Sequence, residues 1–305
     1  MRIRLVALIA VVSALLVGCS LFTAAPASED TSPTSAYPMT VVDDMGREVV
    51  VESEPARIVS LAPSNTEILF ALGLGDKVVG VTNFCNYPPE VEGIDKIGDS
   101  FNVNIEAVVA LDPDLVLGID SHTEVADRLA ELGIATYLLA PQSIEDTAKA
   151  IERVGVITGV PERGREVAED MRQSLEAVAE RLEGIEDRPR VLVLVDPAEL
   201  WAVGPGTFLD EMIRIAGGEN VAADIGQQYA QLSEEAVVAR DPEVIILTWP
   251  AADQIRAREA FAGLSAVVND RIYVVDGDTT SRPGPRLIEG LKEIVRAVHP
   301  DVELP

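Results

Sequence analysis

The sequence EAVVALDPDLVL at residues 106–117 returns as EAVVARDPEVII at residues 235–246. Seven of the twelve positions are identical, and most of the others are conservative. A polar residue, Asn104 or Ser233, stands two positions before each initial glutamate, where it predicts a helix N-cap. Each copy then predicts a short helix, a break at Asp-Pro and a buried apolar strand. The chain therefore contains two related α/β units.

Apolar segments rich in Val, Ile and Leu alternate with helical stretches on both sides of the repeat. Near-continuous apolar runs are typical of parallel strands covered on both faces. Residues 143–187 between the units have helical periodicity with one interruption at 159–161, which predicts one long helix bent there. The expected fold is α/β, with two Rossmann-like lobes joined by a single long helix and a short hairpin around Gly46 before them. The predicted strands are 57–61, 78–82, 114–118, 135–139, 190–195, 243–248 and 271–275.

The N-terminal residues indicate export. Arg2 and Arg4 precede an apolar run at 5–17, which is shorter than the ~20 residues of a membrane-spanning helix. The run ends in LVGC, which resembles a bacterial lipobox with Cys19 as the lipidated residue; the alternative is an ordinary cleaved signal. A Ser-, Thr-, Ala- and Pro-rich stretch follows and predicts a flexible tether. The predicted organisation is a signal peptide at 1–18, a lipidated cysteine and tether at 19–39, an N-terminal lobe at 40–141, a linking helix at 142–187 and a C-terminal lobe at 188–305.

The composition limits which partners the protein can bind and which reactions it can catalyse. The chain has 51 acidic and 24 basic residues, a formal charge of −27, which argues against nucleic acid because nucleic acid needs basic patches. With Cys19 lipidated, Cys85 has no cysteine partner. The sequence shows no nucleophile elbow, HExxH or phosphate-loop motif, and its two histidines, His122 and His299, lie far apart. These features predict a binding protein rather than an enzyme, with no cofactor and no resident metal.

Candidate ligand-binding residues follow the carboxyl ends of the predicted parallel strands, where α/β folds usually bind ligands. Aromatic residues are 4% of the chain, yet many fall at these positions, which suits a large flat ligand with amide rims. The alternative is that such rings anchor loops to the core. Cys85 is either a metal ligand or a half-buried free thiol. The predicted ligand-binding residues are Ser64, Asn65, Phe84, Cys85, Phe101, Trp201, Tyr229 and Trp249.

The segments RIVSLAPSNTE at 57–67 and VGVTNFCNYPP at 79–89 resemble the cobalamin-binding periplasmic proteins, and SRPGPR at 281–286 fits the same pattern. That family belongs to a helix-linked class that also serves ferric siderophores and haem, and the resemblance covers essentially everything after residue 40. It implies that a corrinoid is bound between the lobes with aromatic rings around it. By motif position those rings include Phe84, Trp201 and Tyr229.

The resemblance also implies a role for the repeat. One glutamate per lobe, Glu106 and Glu235, is expected to dock onto arginines of an importer's membrane subunits, although the helix dipole alone also favours a carboxylate there. The expected function is an extracytoplasmic, membrane-anchored and monomeric lipoprotein that delivers cobalamin or a related corrinoid to an ABC importer. The alternatives are a haem or ferric-siderophore binder of the same class, or an extracytoplasmic enzyme or adhesion module on this scaffold.

Overall fold

The computed structural model describes residues 36–304, so the predicted signal peptide, Cys19 and nearly all of the tether lie outside the described residues. Between residues 36 and 304, no helix is both long and apolar enough to cross a membrane. Two large sheets, of five and six strands, and a two-stranded hairpin organise this part of the chain, and each large sheet contains the strand of one copy of the repeat.

The first lobe contains a five-stranded parallel sheet and, before it, the hairpin predicted around Gly46. Its elements are β1 (Met39–Val42), β2 (Glu48–Val51), β3 (Ile58–Ser60), α1 (Pro63–Ala71), β4 (Val78–Val81), β5 (Asp95–Lys96), α2 (Ile105–Ala110), β6 (Leu115–Ile119), α3 (Thr123–Glu131) and β7 (Thr136–Leu139). The sheet order is β5-β4-β3-β6-β7. The hairpin is tied to the last strand, because the Asp44 amide donates to the Leu138 carbonyl oxygen at 3.1 Å.

The segment between the lobes forms two helices, α4 (Ile144–Ile157) and α5 (Pro161–Leu182). The prediction of one bent helix is therefore wrong in this detail: the long connecting helix is α5, and α4 is separate. Gly159 adopts φ of +80° and Pro161 occupies the first turn of α5, so one helix ends and another begins. The two helices approach each other so closely that a Cβ added at Gly155 would lie only 2.9 Å from the Cα of Gly164. Glycine at both positions permits this contact.

The second lobe contains a mixed sheet of the order β11-β9-β8-β12-β13, with β10 also paired to β8. Its elements are β8 (Arg190–Asp196), β9 (Trp201–Val203), α6 (Phe208–Ile215), β10 (Glu219–Asn220), β11 (Tyr229–Gln231), α7 (Glu234–Arg240), β12 (Val244–Leu247), α8 (Ala252–Arg256), α9 (Ser265–Val268), β13 (Ile272–Val274), α10 (Gly277–Ser281) and α11 (Leu287–Val298). Short 3-10 helices lie at Gly75–Lys77, Pro89–Gly93, Asp120–His122, Ala223–Ile225 and Glu259–Phe261. The two-lobed α/β class predicted from the sequence is confirmed.

Both copies of the repeat begin in the same way. The Asn104 side chain accepts a hydrogen bond from the Ala107 amide at 3.0 Å, and the Ser233 side chain accepts one from the Ala236 amide at 3.2 Å. Each bond satisfies an amide of the first helical turn that has no intrahelical acceptor. The two predicted N-caps of α2 and α7 are therefore confirmed.

The helices of both copies also end in the same way. The backbone turns into the left-handed region at Asp112 (φ +46°) and Asp241 (φ +39°), directly before a proline. In each lobe an arginine binds this turn: Arg57 directly before β3 in the first lobe, and Arg190 at the start of β8 in the second. Arg57 Nε donates to the Asp112 carbonyl oxygen at 3.1 Å, and Arg190 Nε donates to that of Asp241 at 3.0 Å. The repeat is thus a structural unit with its own stabilising contact.

One apolar cluster runs through both lobes. It includes Ile58 and Leu115 of the first sheet, Ile151 of α4, Val167 of α5 and Val191 of the second sheet. Two smaller clusters cover the opposite faces of the sheets. Because the large cluster is continuous, a wide separation of the lobes would expose apolar surface to water, which opposes it.

Candidate functional site

A cavity of about 360 Å³ lies between the lobes. Asp120 and Gln142 line it from the first lobe, and Gln228, Tyr229 and Ser281 line it from the second. Four of these five side chains are amides, hydroxyls or a carboxylate, and the fifth is a phenol. The cavity therefore offers hydrogen bonds to the rim of a ligand that spans both lobes.

A second cavity, of about 470 Å³, is larger but lies elsewhere. It is formed between the β1–β2 hairpin and α4, where Val41, Val42 and Val156 line it. Strand ends of both sheets do not converge there. We therefore place the candidate ligand site in the interlobe cavity, where the topology of α/β sheets favours binding.

Trp201 and Tyr229 lie on a short antiparallel ribbon formed by β9 and β11. In its register Gln231 is opposite Trp201 and Tyr229 is opposite Val203, so both rings are on the same face as diagonal neighbours. Their residues are 40% and 42% exposed. Neither residue falls within a strand predicted from the sequence; the structure holds both on paired strands, which fixes their spacing.

Burial raises the pKa of the Tyr229 phenol. Desolvation disfavours the charged phenolate, so the hydroxyl keeps its proton near neutral pH. Tyr229 can therefore donate or accept a hydrogen bond at the cavity wall.

Phe84 and Phe101 form an aromatic pair on the first lobe. Their ring centroids are 6.4 Å apart with an interplanar angle of 74°, an edge-to-face arrangement. Phe101 is 85% exposed, and the ring of Phe84 is its aromatic contact. The sequence indicated both residues separately, and the structure brings them together after β4 and β5.

A compact turn presents Phe101. The Asp99 carboxylate accepts hydrogen bonds from the amides of Phe101 (2.8 Å) and Asn102 (2.7 Å), and these bonds lower the pKa of Asp99. His122 holds the turn from the other side, since its Nε2 donates to the Ser100 carbonyl oxygen at 2.7 Å. The Ile119 amide donates to Nδ1 of the same ring at 3.1 Å. His122 is therefore a support of the Phe101 turn, and the sequence did not indicate this role.

We expect the Phe101 turn to loosen on mild acidification. Burial lowers the pKa of His122, and a neutral ring is required because Nδ1 accepts a hydrogen bond from the Ile119 amide. The stability that this neutral histidine contributes is complete above the pKa of an unfolded histidine, about 6.5, and is lost as pH falls through the lower pKa of the folded state. Between about pH 7.5 and 5.5, the melting temperature of the wild type should fall more than that of His122→Gln, which cannot titrate at this position. Parallel pH profiles of the two proteins would contradict this role of His122.

Three predicted ligand-binding residues are buried rather than exposed to the cavity. Ser64 and Asn65 lie in the first turn of α1, and the Asn65 amide donates to the Gly118 carbonyl oxygen at 2.9 Å. The Cys85 Sγ lies 3.1 Å from Thr66 Oγ1 and 3.2 Å from Thr82 Oγ1. These contacts stabilise the loops after β3 and β4 and do not support direct ligand contact. Among residues 36–304 there is also no group of three or more His, Cys, Asp or Glu side chains arranged to hold a metal.

Trp249 is exposed but does not line the interlobe cavity. It is 56% exposed and lines a separate depression of about 270 Å³ beside Asp196 and Ala198. Of the predicted ligand-binding residues, only Tyr229 is part of the lining of the interlobe cavity; Phe84, Phe101, Trp201 and Trp249 lie outside that lining.

The two glutamates of the repeat are exposed in the first turns of α2 and α7. Hydrogen bonds from its own backbone amide and from Ser233 lower the pKa of Glu235, which stays ionised. Val109 and Val238, one helical turn further on, are 40% and 43% exposed. Each lobe therefore presents a carboxylate followed by an exposed valine on the same helix.

Sequence reasoning missed several residues of the interlobe cavity. Asp120, Gln142 and Ser281 line it and were not predicted. Asp120 and Gln142 follow the carboxyl ends of β6 and β7, so the same rule that indicated Phe84 would have found them. Ser281 is the last residue of α10, which that rule does not reach.

Two lobes joined by a long helix, with a polar and aromatic cavity between the strand ends, define a two-lobed binding protein. Residues 58–279 match the family described as periplasmic binding protein. The chain belongs to this family.

Several characterised and uncharacterised proteins are similar to this chain. The chain is 36% identical over 277 residues to an uncharacterised ABC transporter substrate-binding lipoprotein, YvrC, of Bacillus subtilis, with 88% of each chain covered. It is 32% identical over 285 residues to a cobalamin-binding protein of Halobacterium salinarum, covering 88% of this chain and 76% of the relative. The solved structure of the periplasmic haem-binding protein RhuT of Roseiflexus sp. RS-1 is 30% identical, with a TM-score of 0.73, 80% of this chain covered and 98% of that one.

Proposed function

We propose that this protein is the substrate-binding subunit of an ABC importer, and that its cargo is cobalamin or a related corrinoid held between the lobes. The observation that carries this proposal is the set of exposed aromatic rings at strand ends of both lobes, Phe84 and Phe101 on one and Trp201 and Tyr229 on the other. The name of the Halobacterium relative supports the cargo, and that of the Bacillus relative supports the importer.

A corrinoid fits the chemistry of the cavity. Its macrocycle is large and flat, so aromatic rings can cover it and bury apolar surface against it. Its periphery bears amide groups, which match the side-chain amides of Gln142 and Gln228 and the hydroxyl of Ser281. The site needs no protein ligand to the cobalt.

Delivery requires that the loaded protein finds the importer. We propose that Glu106 and Glu235 dock onto cationic side chains of the membrane subunits, one on each lobe. We also propose that a lipid on Cys19 anchors the protein, as a monomer, on the outer side of the cytoplasmic membrane. A two-chain anchor is stable, whereas a single acyl chain binds only marginally.

Haem is the second candidate, because the haem-binding protein of Roseiflexus shares the fold at 30% identity. Haem would need an iron ligand or cations for its propionates. The Tyr229 hydroxyl keeps its proton near neutral pH, and both ring nitrogens of His122 are engaged in hydrogen bonds. These observations favour the corrinoid.

Calorimetric titration of the purified protein decides between the cargoes. We expect cyanocobalamin to bind saturably with a stoichiometry of one, and haemin to bind at least about tenfold more weakly, a difference of ~1.4 kcal/mol. Tight haemin binding without cyanocobalamin binding would replace the corrinoid by haem. Failure of both to bind would overturn the cargo assignment as a whole.

A further inference from the structure

A buried carboxylate joins the two lobes. Glu67, in α1 of the first lobe, has a side chain only 2% exposed. Its Oε2 accepts from Arg286 Nε at 2.9 Å, and its Oε1 accepts from Arg286 Nη2 at 2.8 Å and from Arg282 Nη1 at 3.1 Å. Both arginines belong to the second lobe, so all three bonds cross between the lobes.

The same network reaches the loop that presents Phe84. Arg282 Nη1 donates to Asn86 Oδ1 at 2.7 Å, and Asn86 Nδ2 donates to Asp278 Oδ2 at 3.0 Å. Arg282 Nη2 closes the ring with Asp278 Oδ1 at 2.7 Å. We call this group, formed by Glu67, Asn86, Asp278, Arg282 and Arg286, the interlobe clamp.

A cation–π contact adds to the clamp. The Arg286 guanidinium lies 4.0 Å from the centroid of the Tyr87 ring, which is on the same loop as Phe84. Glu67 raises the pKa of Arg286, so this cation remains charged. The loop after β4 is thus held at two successive residues, Asn86 and Tyr87, by side chains of the second lobe.

The interlobe clamp is balanced in charge. It contains two carboxylates and two guanidinium groups, and the arginine side chains are only 15% and 14% exposed. The buried part of the clamp is Glu67 with its two arginines, whereas Asn86 and Asp278 are more exposed. Separating Glu67 from the arginines would leave its charge buried and uncompensated, which is strongly unfavourable. The clamp therefore favours one discrete arrangement of the lobes over a range of intermediate ones.

We propose that Glu67 is a positioning residue for cargo binding: through the interlobe clamp it holds the lobes at one angle and sets the Phe84 loop before the cargo arrives. The role as a cargo-binding cleft rests on the function proposed above. Apparent affinity falls in proportion to the fraction of molecules in the binding-competent arrangement. A protein without the clamp populates other lobe angles and loop positions, and its affinity falls accordingly.

The test compares Glu67→Gln with Asp43→Asn in the purified protein. Asp43 is a matched control, because its carboxylate is also buried and paired, with Arg47, but all its contacts lie within the first lobe. Arg286→Lys is a milder variant that keeps the charge and loses the two-pronged contact with Glu67. Hydrogen–deuterium exchange of the ligand-free proteins reports on the clamp, and titration with cyanocobalamin reports on binding.

In Glu67→Gln we expect exchange to rise about tenfold at the amides of Asn83, Cys85, Thr280 and Arg282, which are hydrogen-bonded in the clamp segments. If the competent fraction falls to roughly a tenth, the dissociation constant rises about tenfold. Arg286→Lys should show both changes to a smaller degree. Asp43→Asn should lower the melting temperature and leave both the exchange of these amides and the affinity as in the wild type.

Two results would overturn the proposal. One is unchanged exchange at these amides in Glu67→Gln. The other is a loss of affinity in Asp43→Asn equal to that in Glu67→Gln. The weaker binding of Glu67→Gln would then result from lower overall stability and not from the loss of the interlobe clamp. If the wild type itself does not bind cyanocobalamin, the cargo assignment fails, while the exchange measurement still decides whether the clamp orders the loop.

Discussion

Replacing Glu106 and Glu235 together by alanine is expected to reduce cargo uptake at least tenfold and to leave cargo affinity unchanged. Both carboxylates are exposed, and each begins a helix of the repeat, one in each lobe. Neither lines the interlobe cavity. The variant therefore removes the two proposed contacts with the importer and leaves the lining of the cavity unchanged.

The size of the effect depends on what docking does to these charges. An exposed ion pair contributes only ~0–1 kcal/mol. Truncating one partner of a pair that is desolvated in an interface costs ~2–5 kcal/mol. The exposed Val109 and Val238, one turn beyond the glutamates, would exclude water from such an interface. We therefore expect each single variant to show a clear defect and the double variant a severe one.

The experiment measures uptake of labelled cyanocobalamin in cells with the cognate importer, alongside calorimetric affinity of the purified variants. The matched control is Glu124→Ala with Glu259→Ala, which removes one exposed first-turn carboxylate from each lobe outside the repeat helices. Uptake in the control should equal that of the wild type. Normal uptake by the Glu106→Ala/Glu235→Ala variant would remove both residues from the docking surface.

The repeat and the main strands could be predicted from the sequence because their signals are local. Strands β3 and β6, buried on both faces, appear as near-continuous apolar runs with Ser60 as the polar exception, and the observed bounds differ from the predicted ones by at most one residue at each end. The N-caps Asn104 and Ser233 were predictable because capping depends on residues three positions apart. The resemblance to the family pointed to the same two-lobed class.

Other features depend on tertiary contacts that no local pattern encodes. Strands β9 and β11 have three residues each, too few to show a period of two, so their aromatic residues were assigned to loops. The break between α4 and α5 was visible at residues 159–161, but whether the chain bends or reverses there depends on packing across Gly155 and Gly164.

The sequence also does not determine in which direction a side chain near a strand end points. Asn65 and Cys85 belong to segments at the strand ends, yet they point inward to Gly118, Thr66 and Thr82. Arg286 and Glu67 are 219 positions apart in the chain, so their pairing is a property of the folded protein alone. The sequence therefore indicated the strand-end segments and not the network that joins the two lobes.

Trp201→Ala and Tyr229→Ala are each expected to weaken cyanocobalamin binding about 30-fold, and the double variant more than 100-fold, with ~1.4 kcal/mol for each factor of ten. These residues are 40% and 42% exposed in the free protein. With roughly 200 Å² for a large aromatic side chain, the cargo has about 80 Å² of each to cover, or ~2 kcal/mol at ~25 cal/mol per Å².

The two rings share one face of the β9–β11 ribbon, so their effects should not add independently. Loss of Trp201 leaves Tyr229 with less apolar support, and the double variant should fall short of the product of the single effects. A double-mutant cycle by calorimetry measures this coupling directly.

The control is Trp249→Ala, which removes a ring that is 56% exposed but lines the separate depression beside Asp196. Its affinity should stay within about threefold of the wild type, ~0.7 kcal/mol. Equal losses in all three single variants would mean that the cargo covers the whole strand-end face of the second lobe. Loss in Trp249→Ala alone would move the binding site from the interlobe cavity to that depression.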